Sequence, residues 1–255
     1  MRLRHLKRET MIYITNYIFK GSDPMRRILA CVLILSCVAF PAGAAEDEKY
    51  VALTFDDGPS GRYTVALLDG LYQREVKATF LLCGYRMAQY PELTQRIFSE
   101  GHEIGFHGYT HDSMMNMSRR TIAGELVDSQ ALLPEDCDPV FLRPPGGCCS
   151  DGVRQVAEVR NLCILSWSVD PKDWATRDTA AIERAVLKNV KDGDIILLHD
   201  MTTSSVQAAL DIIDVMQQRG FRFVTASELA RIRNVKLKPG KSYTSFPPQE
   251  QENVK

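Results

Sequence analysis

The chain has 255 residues, 45% hydrophobic and 25% charged, with 31 Lys and Arg against 32 Asp and Glu and a formal net charge of −1. Seven cysteines, 16 glycines and 12 prolines are too few for a disulfide scaffold or a fibrous, low-complexity chain. A near-neutral charge removes the main driving force for non-specific nucleic-acid binding, which leaves a globular protein of one large domain or two small ones.

Charge is distributed unevenly. Residues 1–27 carry seven basic and two acidic side chains, residues 28–45 carry none, and the remainder holds 24 basic and 30 acidic groups, a net of −6. Met25-Arg26-Arg27, the apolar run Ile28–Leu35 and the small residues Pro41–Ala45 have the order of an export signal with a cleavage site after Ala44. Residues 25–44 are therefore read as a signal peptide. A retained anchor is the alternative, because the uncharged stretch approaches membrane-spanning length, and only then would the protein contact a membrane. Met25 is a second candidate start, which makes residues 1–24 an upstream extension without a structural role. Beyond the leader stand Cys83, Cys137, Cys148, Cys149 and Cys163, with no Cys-x-x-Cys spacing. A structural zinc site is disfavoured, and reduced thiols and one or two disulfides both stay open.

From Tyr50 short apolar runs alternate with amphipathic segments. Strands are predicted at Tyr50–Phe55, Ala78–Leu82, His102–His107, Pro139–Leu142, Leu162–Val169, Asp194–Leu198 and Phe221–Val224. Helices are predicted at Thr64–Glu75, Pro91–Glu100, Ser118–Leu133, Gly152–Arg160, Thr179–Val190, Ser205–Arg219 and Ala226–Arg233. About seven β-α units imply a parallel sheet with covering helices, nearer a barrel than an open sheet. The polar, proline-containing segment 234–255 reads as a disordered tail.

In a parallel α/β fold, chemistry collects past the carboxyl ends of the strands. Those positions hold Thr54-Phe55-Asp56-Asp57-Gly58-Pro59, His107-Gly108-Tyr109-Thr110-His111, Arg143-Pro144-Pro145-Gly146-Gly147, Asp170-Pro171-Lys172-Asp173-Trp174 and His199-Asp200. Taken alone, an Asp pair is most often a turn or helix cap, and His-x-x-x-His is weak evidence for a metal. Three of the body's four histidines end candidate strands, however. Two imidazoles and one carboxylate suffice for a divalent metal with open positions for water. One Asp could bind the ion while its neighbour acts as a base, with Arg143 as the cation that keeps the pair ionised. His199 is either a core histidine or a rim residue, and Trp174 either core or a wall for substrate.

These five blocks, in this order, resemble the polysaccharide deacetylases of carbohydrate esterase family four, the NodB homology domain. The resemblance spans Lys49–Arg233, and Thr54-Phe55-Asp56-Asp57-Gly58-Pro59 is its most specific part. It implies a distorted (β/α) barrel with a divalent metal, zinc or cobalt, held by Asp57, His107 and His111. It implies Asp56 as general base with Arg143 holding its charge, and the Gly146 N–H as an oxyanion donor. Asp173 would orient the general acid His199, while Trp174 and Leu197 wall the pocket for the acetyl methyl group. The expected activity is removal of acetyl groups, mainly N-acetyl, from an N-acetylglucosamine-containing polysaccharide such as peptidoglycan or a chitin-like glycan, outside the cell or at its surface. The alternatives are an amidohydrolase for a small amide, an O-acetyl esterase on xylan and a non-catalytic glycan-binding protein. An iron-dependent oxygenase fits the two His and one carboxylate but leaves the second Asp and His199 without roles.

One departure bears on the metal. The family usually has Ser or Thr where Gly108 stands, and the missing hydroxyl removes a loop hydrogen bond worth about 1 kcal/mol. Lowered metal affinity is the expectation. Cys148-Cys149 has no counterpart in the pattern.

Overall fold

The computed structural model describes residues 48–249, and the leader read above lies outside them. Along β1 (Lys49–Asp56) the side chains alternate as a pleated strand requires. Val51, Leu53 and Phe55 pack beneath the helices, whereas Ala52, Thr54 and Asp56 form the opposite row, facing the barrel interior. β2 (Thr79–Leu82) and β6 (Ile195–His199) pair with it in parallel, and β7 (Phe221–Val224) pairs with its first half. β3 (Glu103–Phe106), β4 (Phe141–Leu142), β5 (Cys163–Leu165) and β8 (Ser242–Tyr243) complete a sheet of order β6-β1-β2-β3-β4-β5-β8.

Between β5 and β6 the ring is joined by the single bridge Val169–Ile196, and Asp194–Ser245 adds an antiparallel bridge beside β8. The barrel is therefore distorted there. The helices are α1 (Arg62–Gln73), α2 (Gly84–Gln89), α3 (Pro91–Ser99), α4 (Arg119–Gln130), α5 (Asp151–Val159), α6 (Thr179–Asn189), α7 (Thr203–Gln218) and α8 (Ala226–Ile232). β1 to β7 are each followed by a helix, which gives the seven β-α units expected from the sequence.

Five helix starts are set by a side chain that accepts an otherwise unpaired backbone N–H: Ser118, Ser150, Asp178, Thr202 and Thr225. Such caps are typically worth about 1 kcal/mol each. One apolar layer lies between sheet and helices, where α7 buries Val206, Ile212, Ile213 and Met216. A second fills the barrel interior with Leu81, Phe141, Leu165 and Ile195, closed below by Leu229 of α8.

Three features differ from expectation. Helix α2 was not anticipated, since six residues are too few to show a helical period. Strand β5 stops at Leu165 instead of Val169, because the carbonyls of Leu165 and Ser166 turn to accept the Arg143 guanidinium at 2.9 Å each. The segment from residue 234, read as a disordered tail, is instead packed on the barrel as far as Phe246, with Pro247–Gln249 exposed. Tyr243 and Phe246 are 7% and 1% exposed and seal the interior layer, which explains why an otherwise polar segment stays in place. Gly193 (φ 89) permits this approach, since a Cβ there would lie 2.2 Å from the Phe246 carbonyl oxygen.

Candidate active site

The inner rows of neighbouring strands end at one rim. Asp56 closes the row on β1, His107 and Arg143 follow β3 and β4, and His199 ends β6 opposite Asp56 in register. Adjacent residues on a strand point to opposite faces, so Asp57 needs a backbone reversal to join Asp56. It has one: Asp57 adopts φ 72, and His111 likewise adopts φ 68. Left-handed conformations cost a non-glycine residue about 1 kcal/mol or more and gather at functional sites.

Asp57, His107 and His111 bring one donor atom each to within 4.8 Å of one another. Asp57 Oδ1 lies 3.2 Å from His107 Nε2 and 3.0 Å from His111 Nε2, yet this buried oxygen takes no hydrogen bond. His107 Nδ1 lies 2.7 Å from the Arg143 carbonyl oxygen. A carbonyl only accepts, so Nδ1 carries a proton and Nε2 is the atom turned toward Asp57. Burial opposes ionisation of Asp57, but the two imidazoles outweigh it and hold the carboxyl well below the usual range. Three converging donors, an unpartnered oxygen among them, suit a divalent cation.

Asp56 and Arg143 form a buried pair, 4% and 0% exposed at their side chains, with Nη1 donating to Oδ1 at 2.6 Å. The guanidinium also donates to Thr54 Oγ1 at 2.9 Å and lies under the Trp167 ring, 5.5 Å from its centroid. Asp56 Oδ2 faces His107 Nε2 at 3.7 Å, which places the carboxylate beside the ligand cluster.

His199 is held twice by Asp173, a fully buried residue: its Nδ1–H donates to Oδ1 and its backbone N–H to Oδ2, each at 2.8 Å. Burial disfavours the imidazolium, but Asp173, with Asp56 and Asp57 beyond it, outweighs burial and raises the pKa to about 9. This coupling stabilises the fold fully below the ordinary value of 6.5 and is lost as pH rises through about 9. Asp173→Asn is expected to bring the His199 titration, followed by NMR, down toward 6.5. An unmoved titration would contradict the pairing.

Gly146 (φ 69) stands exposed at the same rim with no atom within 4 Å of where a Cβ would be. Gly147 behind it has no such room, since a Cβ would lie 2.5 Å from the Trp167 ring. Trp174 is 60% exposed in the turn that begins with Asp173. Leu197 is buried two residues before His199, hence on the same face of β6.

Two supporting residues had no role in the sequence reading. Thr54 links Arg143 to the Ile196 carbonyl on β6. Its place two residues before Asp56 on the inner row was the available clue. Fully buried Asp200 accepts from the Thr64 hydroxyl, and its carbonyl accepts from the Ser60 hydroxyl, which ties the β1–α1 loop to the end of β6. Burial, despite the Thr64 hydrogen bond, raises Asp200 to about 6. Cys83, Cys137, Cys148, Cys149 and Cys163 are all free thiols. Burial pushes the Cys83 thiol up, so it is no nucleophile beside this site.

A family model described as polysaccharide deacetylase matches residues 43–162. A peptidoglycan-N-acetylglucosamine deacetylase of Bacillus cereus is 38% identical over 194 residues, covering 74% of this chain and 91% of the relative. Peptidoglycan-N-acetylglucosamine deacetylase PgdA of Listeria monocytogenes is 35% identical over 201 residues, 78% of this chain but 42% of that longer protein. Among solved structures, a family 4 acetyl xylan esterase from Clostridium thermocellum in complex with a cobalt ion superposes with a TM-score of 0.72 at 34% identity, covering 78% of this chain and all of that one. The chain belongs to the polysaccharide deacetylases of carbohydrate esterase family four.

Proposed function

We propose that the protein is an exported, metal-dependent hydrolase that removes acetyl groups, mainly N-acetyl, from an N-acetylglucosamine-containing polysaccharide such as peptidoglycan. The observation that carries this reading is the meeting of three units on one rim: the Asp57-His107-His111 cluster, the Asp56–Arg143 pair and the Asp173–His199 pair. Asp57, His107 and His111 would hold the ion, for which zinc and cobalt are the candidates. A divalent cation in such a site acts as a Lewis acid on a carbonyl and brings the pKa of water down toward ~7.

The chain's own groups supply the remainder. Asp56 takes the proton from the attacking water, and Arg143 holds that carboxylate in place through its 2.6 Å hydrogen bond to Oδ1. The Gly146 N–H donates to the carbonyl oxygen as that atom gains charge. His199, its Nδ1–H tied to Asp173, gives the Nε2 proton to the departing amine, which otherwise leaves poorly. Trp174 and Leu197 offer apolar surface to the acetyl methyl group. Export is supported by the order of charge, apolar run and small residues over 25–45 and by the location of peptidoglycan outside the membrane.

The relatives include both a peptidoglycan-N-acetylglucosamine deacetylase and an acetyl xylan esterase, so a substrate panel decides. Acetate release is expected from peptidoglycan and chitooligosaccharides ahead of acetylated xylan. Faster release from xylan would make the protein an O-acetyl esterase, and activity confined to small soluble amides would overturn the glycan reading.

A further inference from the structure

Helix α4 turns two residues, Glu125 and Ser129, toward the segment that carries His107 and His111. Glu125 Oε2 accepts the backbone N–H of Tyr109 at 2.7 Å, that of Thr110 at 2.8 Å and the Thr110 hydroxyl at 3.2 Å. The single Ser129 hydroxyl proton is shared between the Gly108 carbonyl at 3.2 Å and the Glu125 carbonyl at 2.8 Å. One helix face therefore grips the segment by its donors and by its acceptor.

The segment needs such a grip. Gly108 and His111 both have left-handed backbones, φ 80 and 68. The His111 side chain is 43% exposed, so core packing does not set its direction. A Cβ at Gly108 would lie 3.0 Å from Met114 Cε and 3.3 Å from Glu125 Oε2. The glycine that departs from the family pattern and the carboxylate that approaches it are two parts of one arrangement. Three bonds to one charged acceptor, a stronger class of hydrogen bond, hold this segment where Gly108 offers no hydroxyl.

We propose that Glu125 is a positioning residue for the metal site. Its carboxylate fixes Gly108–His111 so that His111 is aimed at Asp57 and His107 before any ion arrives, and divalent-cation affinity depends on it. This rests on the reading of Asp57, His107 and His111 as metal ligands. Groups that orient ligands typically cost 10- to 100-fold in metal affinity when removed.

The test is calorimetric titration of Zn²⁺ into the metal-free protein, with the melting temperature of each metal-free form recorded alongside. Glu125→Ala should bind Zn²⁺ about 10- to 100-fold more weakly. Glu125→Gln, which keeps an oxygen acceptor but no charge, should lose a smaller but measurable factor and melt like the wild type. Wild-type affinity in folded Glu125→Ala would overturn the proposal. Should that variant not fold, wild-type affinity in Glu125→Gln would do so. A lowered melting temperature with unchanged affinity would reduce Glu125 to a structural residue and also count against it. Failure of the wild type itself to bind Zn²⁺ would instead overturn the metal site, and the proposal with it.

Discussion

Asp56→Asn is expected to lower kcat for deacetylation by ~10²–10⁴ while divalent-cation affinity stays at the wild-type level. Acetate release and calorimetric titration check the two halves separately. The substitution preserves shape at a side chain that is 4% exposed and removes only the charge and the basicity. Asp56 spends Oδ1 on Arg143 at 2.6 Å and keeps Oδ2 beside His107, whereas Asp57 alone supplies a carboxylate oxygen to the ligand cluster. Wild-type turnover in the variant would remove Asp56 as the base. Lost metal binding would make it a ligand.

Arg143→Leu is expected to bring the largest loss of stability, about 3–5 kcal/mol, read from urea unfolding. The guanidinium is fully buried and donates to Asp56, Thr54 and the carbonyls of Leu165 and Ser166. Leucine fills part of the volume but leaves a buried carboxylate without a counter-charge and two carbonyls without donors. Combining it with Asp56→Asn should recover part of the loss, because the uncompensated charge is then gone. A loss below about 1 kcal/mol, the range of exposed ion pairs, would show that the pair is solvated. The charge on Asp56 would then have no special need of Arg143.

Strand periodicity and strand-end residues made much of this legible in advance. Asp56, His107, Arg143 and His199 all end inner rows, and a period of two places them on one rim without any coordinates. What joins Asp57 to that rim is a left-handed backbone at the residue itself, which no side-chain pattern reports. Glu125 was invisible for a related reason. It acts across 16 residues of chain on backbone N–H groups, and a lone acidic residue on a helix face ordinarily reads as solvated. Tyr243 and Phe246 were missed because the residues around them are polar, although two aromatics spaced three apart sealed the barrel interior. Arg143 was found as a cation, but its pull on the carbonyls that end β5 follows from geometry alone.

The most direct measurement is acetate release from an N-acetylated chitooligosaccharide by the wild-type protein before chelation, after chelation, and after Zn²⁺ or Co²⁺ is restored. Release that stops on chelation and returns with the ion is the predicted result. Release that continues unchanged after the ion is stripped would contradict the metal-dependent mechanism at its root.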